Sequence, residues 1–259
     1  MTKATDAALL LLGKDYGEYG ALCSVAVGAH AAAAISVGTD PASPSHQFKT
    51  DPRVKNEDGL CVLDGDDWSG YAVADAHYGP ESSHLLLSRL HHMWASDLPG
   101  DFDELAAMIA DLRHGAPAET GSETTLLVVV YQRTAKRGFG ISFGDSSFTI
   151  LGPGRSGDPI NVHDQRYVRS ADEATMRNGA PFTFEAKPGE LLLLHTDGVD
   201  ECHYRQPATS VRPSQMLAAA ETAGHDPLRT VEGIARLALG GVAGNPGGQD
   251  NIAAITAAA

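Results

Sequence analysis

Short apolar or β-branched runs bounded by Gly, Asp and Pro come in batches along this chain, and amphipathic helical patterns arrive in pairs between the batches. Residues 31–37, 60–63 and 71–74 make the first batch, 126–131, 138–143, 148–151 and 191–195 the second, and 252–256 closes the chain. The runs at 60–63 and 71–74 flank Asp64-Gly65-Asp66-Asp67, a hairpin signal that predicts antiparallel pairing. Leu86, Leu90, Met93 and Trp94 recur at helical spacing behind Pro80 and Glu81, and Phe102, Leu105, Met108, Ile109 and Leu112 share one face of a second helix over 101–114. Two more helices are expected at 214–223 and 227–239, followed by a Gly/Pro-rich loop over 240–248. Batched strands with paired helices argue against alternating βαβ units; they predict an α+β chain of antiparallel sheets covered by helices.

With 259 residues, 42% of them hydrophobic, the chain can bury a substantial core as a single globular unit. Residues 1–30 read as an N-terminal extension of helical or mixed character, and 31–259 as the domain proper. The run Ala7-Ala8-Leu9-Leu10-Leu11-Leu12 is too short for a membrane span and lacks the basic leader of a signal peptide. Nineteen Lys and Arg stand against 33 Asp and Glu, a formal charge of −14 that repels nucleic-acid phosphates and anionic lipid, so neither is an expected partner. Cys23, Cys61 and Cys202 are odd in number and widely spaced, as expected for reduced thiols in the cytoplasm. None begins a Cys-x5-Arg phosphate loop, since Ala208 stands six beyond Cys202 and the other two also lack the Arg. Thiol-based phosphate chemistry is therefore disfavoured.

Four acidic stretches, Asn56-Glu57-Asp58, Asp75-Ala76-His77, Asp197-Gly198 and Asp250-Asn251, each sit where an apolar run meets a turn. Carboxylates at strand ends are held by a rigid sheet yet face solvent, as oxygen ligands for a hard cation such as Mg²⁺ or Mn²⁺ require. Taken singly, Asp-Gly and Gly-Asp-Ser are ordinary turn sequences. Taken in order, Arg53-Val54-Lys55-Asn56-Glu57-Asp58, Val73-Ala74-Asp75-Ala76-His77-Tyr78-Gly79, Gly144-Asp145-Ser146, Leu194-His195-Thr196-Asp197-Gly198 and Gln249-Asp250-Asn251 resemble the signature blocks of the metal-dependent type 2C (PPM) serine/threonine protein phosphatases, over residues 33–257.

The resemblance implies a β-sandwich of two antiparallel sheets flanked by helices, with two Mg²⁺ or Mn²⁺ ions at one end. It implies hydrolysis of a phosphorylated protein by a water bridging the two ions, with no protein nucleophile. By the same resemblance Asp75 bridges both metals, the carbonyl of Ala76 replaces that of the usual Gly, and Asp197 and Asp250 complete the first metal's ligands. Glu57 holds the second metal directly or through water, and Asp58 orients bound water or neighbouring ligands. Arg53 is the expected phosphate anchor, its planar fork suiting a dianion, and His77 the acid that protonates the departing alkoxide. Asp145 and Ser146 are expected to form a turn, His195 to be packed or to support a ligand, and His84, His91 and His92 to lie on a helix surface.

Several positions depart from the family pattern. Where an Asp is usual before the strand near residue 124, the stretch Pro117 to Thr125 has none, leaving Glu119 or Glu123 as substitutes and a third metal undecided. Tyr78 replaces the first Gly after the histidine, Ser147 stands where Arg is frequent, and residues 152–179, where a flap would lie, match nothing recognisable. These changes leave room for a different function, a non-catalytic regulator that binds a phosphoprotein or partner, and for hydrolysis of a small phosphorylated metabolite.

Overall fold

The computed structural model describes residues 7–48, 53–95, 97–112, 121–164, 166–169 and 179–259, leaving aside the side chains of 47 and 48. Two antiparallel sheets stack face to face. The first has the order β1-β4-β5-β8-β9-β11, formed by β1 (Ala7–Leu12), β4 (Gly59–Asp64), β5 (Trp68–Ala74), β8 (Leu126–Gln132), β9 (Arg137–Phe143) and β11 (Ala180–Glu185). The second has the order β10-β12-β13-β3-β2, from β10 (Ser147–Leu151), β12 (Leu191–His195), β13 (Ile252–Ala258), β3 (Ala31–Ser36) and β2 (Cys23–Val27). A two-stranded ribbon, β6 (Ala76–His77) with β7 (Glu123–Thr124), continues from the end of β5. Helices α1 (Glu81–Trp94) and α2 (Phe102–Asp111) cover the first sheet, and α3 (Pro213–Thr222) and α4 (Pro227–Gly240) the second. The expected sandwich flanked by helices is the observed one.

Each central strand is buried on both faces, which explains why these runs are continuously apolar. Along β8, Leu127, Val129 and Tyr131 enter the core between the sheets, while Leu126, Val128 and Val130 meet Leu86, Leu90 and Ile109 of the covering helices. Along β3, Ala33 and Ile35 face the inner core, and the small Ala32 and Ala34 let α4 approach closely with Val231 and Ala235. Asp101 caps α2 by accepting from the Glu104 amide at 2.9 Å, and Asp226 caps α4 by accepting from Arg229 at 2.9 Å. Pro213 and Pro227 occupy the first helical positions, where a missing N–H costs nothing.

The N-terminal segment differs from expectation. Residues read as a helical or mixed extension include two strands: β1 pairs with β4 from Ala7↔Asp64 to Leu12↔Gly59, and β2 pairs with β3. The cause is burial on two sides. Leu11 enters the inner core while Leu12 packs toward α1, so the run shows no alternation and its period does not distinguish strand from helix. Strand β11 was also not expected; its alternation of buried and exposed residues is short and lies behind a glycine. His84 corrects a further expectation: it is buried rather than on the helix surface, and burial depresses its pKa to about 4. His92 is exposed as expected and His91 is half-buried. No helix among the described residues is long and apolar enough to cross a membrane.

Candidate active site

Four strand ends at one edge of the sandwich deliver the acidic residues to one place. Asp75 follows β5, and its backbone is fixed by the neighbouring ribbon: its N–H donates to Thr125 Oγ1 at 2.9 Å, and its carbonyl accepts from Thr125 N and Thr124 Oγ1, each at 2.8 Å. Glu57 precedes β4; its N–H donates to Asn251 Oδ1 at 2.9 Å and its carbonyl accepts from Ser83 Oγ at 2.6 Å. Asn251 also donates to the carbonyls of Val37 and Lys55, so one side chain ties the Glu57 segment to the end of the second sheet. Asp58 accepts from Thr196 Oγ1 at 2.8 Å, and that hydroxyl in turn accepts from the Ala253 amide at 3.0 Å. Asp58 thereby braces the first sheet against β12 and β13.

Asp197 and Asp250 are brought together by a close backbone crossing. A Cβ at Gly198 would lie 1.8 Å from the Asn251 carbonyl oxygen, so only glycine lets the chain after Asp197 pass the chain after Asp250. On the other side, the hydroxyl of Ser45 donates to the Gln249 carbonyl at 2.6 Å and Ser43 reaches the same oxygen.

Glu57, Asp75, Ala76, His77, Asp197 and Asp250 all line one pocket of about 180 Å³. This volume is below the usual range for organic ligands and suits hydrated ions with one phosphoryl group. Two expected residues stand outside the lining: Asp58, which is turned into the brace just described, and Arg53, which is exposed on the turn leading to Lys55. Glu123 lies opposite His77 in the ribbon and forms an ion pair with Arg169 at 3.2 Å, and Glu119 is outside the described residues. Tyr78 is 44% exposed with φ of 62° and does not line the pocket. His195 is buried, its Nδ1 2.9 Å from the Thr196 carbonyl, in keeping with a packed histidine.

The structure adds lining residues that the sequence did not single out. Asp145 sits in the expected turn, with Gly144 at φ 81°, yet its carboxylate faces the pocket rather than serving the turn alone. Glu201 stands one helical turn beyond Asp197, a spacing that was available as a signal, and its amide donates to the Asp197 carbonyl at 2.6 Å. Tyr167 and Tyr204 come from loops with no periodicity to mark them.

The electrostatics of the pocket carry one sign. Asp197 keeps part of its surface open to the pocket, but its Oδ1 is sealed from solvent and meets no hydrogen-bond donor. Burial, then the carboxylates of Asp75, Asp250, Asp145 and Glu201, raise its pKa well above the usual carboxylate range. Burial and neighbouring carboxylates also push up Glu201, Tyr204 and Tyr167. Apart from the His77 imidazole the donor set is oxygen and strongly negative, which matches a hard divalent cation. The side chains line the pocket without converging: among the described residues no three His, Cys, Asp or Glu groups are close enough to hold an ion as they stand. Bridging waters or side-chain rotation would complete a coordination shell, as suits Mg²⁺, which retains waters. Burial pushes up the pKa of both Cys61 and Cys202, which disfavours these two thiols as competing nucleophiles.

No family model matches the chain. In sequence it is 25% identical over 188 residues to probable protein phosphatase 2C 80 of Arabidopsis thaliana, covering 70% of this chain and 42% of that protein. It is 24% identical over 189 residues to probable protein phosphatase 2C 55 of the same plant, covering 70% of this chain and 38% of the relative. The chain thus spans less than half the length of the curated relatives it matches. Among solved structures, the Mycobacterium tuberculosis serine/threonine phosphatase PstP/Ppp superposes with a TM-score of 0.62 at 20% identity, covering 92% of this chain and 98% of that one. The PstP catalytic domain in complex with two manganese ions gives 0.60 at 20% identity, covering 92% and 99%. RsbX in complex with magnesium gives 0.59 at 14% identity, with the same coverage. These structures share the fold, and in the order of its motifs, its sandwich and its sequence this chain is similar to the type 2C, or PPM, phosphatases.

Proposed function

We propose that this protein is a Mg²⁺- or Mn²⁺-dependent phosphatase acting on phosphoserine and phosphothreonine in proteins. The observation that carries this reading is the gathering of Glu57, Asp75, Asp197 and Asp250 around one small pocket, with His77 at its rim and its Nε2 4.0 Å from Asp75 Oδ2. When bound, two divalent ions would supply a water of lowered pKa and neutralise charge on the phosphoryl group.

The chain's own residues do the rest. Asp75, Asp197 and Asp250, with the Ala76 carbonyl, would hold one ion, and Asp75 and Glu57 would hold a second, Glu57 directly or through water. Asp58 acts through the brace to Thr196, keeping the Glu57 segment in register with β12. His77 is partly exposed beside Asp75, where its ring N–H can donate a proton to the departing serine or threonine oxygen. Arg53, on the exposed turn before Glu57, is the proposed phosphate anchor. Tyr78 is not among the residues lining the pocket, which favours turnover over a regulator whose cleft that ring would plug.

Purified protein should hydrolyse a phosphothreonine peptide on addition of Mn²⁺ or Mg²⁺ and stop on addition of EDTA. Asp75→Asn should remove at least about a hundredfold of the metal-dependent rate, the scale of losing electrostatic stabilisation at the reacting group. Activity that survives both EDTA and Asp75→Asn would refute the mechanism. Metal binding without turnover of any phosphopeptide would instead identify a regulator, and faster hydrolysis of phosphorylated metabolites than of peptides would reassign the substrate.

A further inference from the structure

Tyr167 lies in the stretch between β10 and β11 that resembles nothing in the sequence motifs, yet it lines the pocket. Its hydroxyl donates to Asp145 Oδ2 at 3.1 Å, and its ring stands perpendicular to the His77 imidazole, with centroids 5.1 Å apart and planes at 88°. The backbone on either side is clamped. Three residues before it, Asp164 exchanges hydrogen bonds with Gly144: Asp164 N donates to the Gly144 carbonyl at 3.0 Å, and Gly144 N donates to Asp164 Oδ1 at 3.2 Å. One residue after it, Val168 forms a bridge with Thr124, with N···O distances of 2.7 and 2.8 Å. Thr124 is the residue whose hydroxyl fixes the Asp75 carbonyl. The phenol therefore hangs from a segment sewn to both the Asp145 turn and the Asp75 backbone, and it reaches the His77 imidazole.

We propose that Tyr167 is a positioning residue that fixes the His77 imidazole, through perpendicular ring contact and its own anchor on Asp145, so that the His77 N–H faces the departing oxygen. The inference rests on reading His77 as the general acid. As the phosphorus–oxygen bond to the leaving group breaks and water's oxygen joins phosphorus, the imidazolium proton passes to the departing alkoxide, and the proton that water gives up restores the imidazolium through solvent. An imidazole free to rotate would be aimed for that transfer only part of the time. A perpendicular aromatic pair favours one ring orientation, and the hydrogen bond to Asp145 stops the phenol itself from swinging.

The test compares a phosphothreonine peptide, whose alkoxide needs a proton, with p-nitrophenyl phosphate, whose leaving group does not. With Mn²⁺ present, His77→Ala should lower kcat for the peptide by about a hundredfold or more and change p-nitrophenyl phosphate much less, the range for losing a general acid. Tyr167→Leu should follow the same pattern at smaller scale, about tenfold on the peptide and within about threefold on p-nitrophenyl phosphate, with KM for both little changed. Tyr167→Phe keeps the ring but loses the anchor on Asp145 and should fall between wild type and the leucine variant on the peptide, which keeps the test decisive if the leucine variant folds poorly. In the metal-free protein, the carbon-bound ring protons of His77 should carry a ring-current displacement that Tyr167→Leu abolishes and Tyr167→Phe only reduces. Should His77→Ala not discriminate between the substrates, the general-acid reading itself fails. Should it discriminate while Tyr167→Leu slows both substrates equally, slows neither, or leaves the His77 resonances unmoved, only the positioning role is overturned.

Discussion

Replacing Asp197 by Asn should make the metal-free protein more stable while weakening its response to metal. Asp197 Oδ1 is sealed from solvent with no donor, and the residue sits among Asp75, Asp250, Asp145 and Glu201. An unsatisfied buried polar group costs about 1–3 kcal/mol, and the Asn amide replaces it with a neutral donor aimed at neighbouring carboxylates. For a chain of this size each kcal/mol corresponds to about 2–4 °C, so Asp197→Asn without metal at pH 7 should melt roughly 2–12 °C higher. Mn²⁺ at a hundred times its Kd stabilises the wild type by about 2.7 kcal/mol, or about 5–11 °C, and the variant should retain less than half of that shift. The sign with pH follows from the raised folded pKa of Asp197. Below the unfolded carboxylate value the group is protonated in both states and costs nothing; as pH rises above that value, the unfolded state releases its proton first and wild-type stability falls. The advantage of the variant should accordingly vanish near pH 4. Thermal unfolding by circular dichroism, with EDTA and with Mn²⁺ at several pH values, measures all three effects. An Asn variant that is less stable than wild type without metal, or that keeps the full Mn²⁺ shift, would refute a cation-demanding carboxylate cluster.

Other sites give sharper local tests. Gly198→Ala drives a methyl to 1.8 Å from the Asn251 carbonyl oxygen and should destabilise by about 3 kcal/mol or more, with loss of Mn²⁺ binding by calorimetry because Asp197 and Asp250 are forced apart. Arg155 binds buried Glu190 in a bidentate pair at 2.9 and 2.7 Å, and Arg155→Ala should cost about 1–2 kcal/mol at pH 7 in urea unfolding, a value reduced for the partial exposure of the arginine. Arginine and the Lys187 amide lower the folded pKa of Glu190, so that stabilisation is present above the unfolded carboxylate value and is lost as pH falls through the folded one. The deficit of Arg155→Ala should therefore shrink on acidification. Arg53→Ala should raise KM for a phosphopeptide about tenfold with kcat little changed, and an unchanged KM would remove Arg53 from the substrate site.

The strands of the interior were legible because burial on both faces leaves runs such as Leu126–Gln132 with no polar interruption. The same property hid β1, whose apolar run fits either secondary structure until β4 is present to pair with it. Asp145 shows the corresponding limit within the site. Gly144-Asp145-Ser146 announces a turn, but whether the carboxylate turns outward or into the pocket depends on Tyr167, a residue 22 positions away, whose hydroxyl it accepts.

By itself the sequence determined the antiparallel sheets covered by helices and the four strand-end acidic stretches, since apolar periodicity and turn residues are local properties that survive without neighbours. It also placed Glu57, Asp75, Ala76, His77, Asp197 and Asp250 in one candidate site. Only the tertiary structure decided which charges face one another: that Asp58 is spent on Thr196, that Glu123 pairs with Arg169, and that Asp145, Glu201, Tyr167 and Tyr204 join the pocket. Charge interactions and desolvation act through space and fall off within a few ångströms, so residues far apart in the chain acquire them only when the two sheets close.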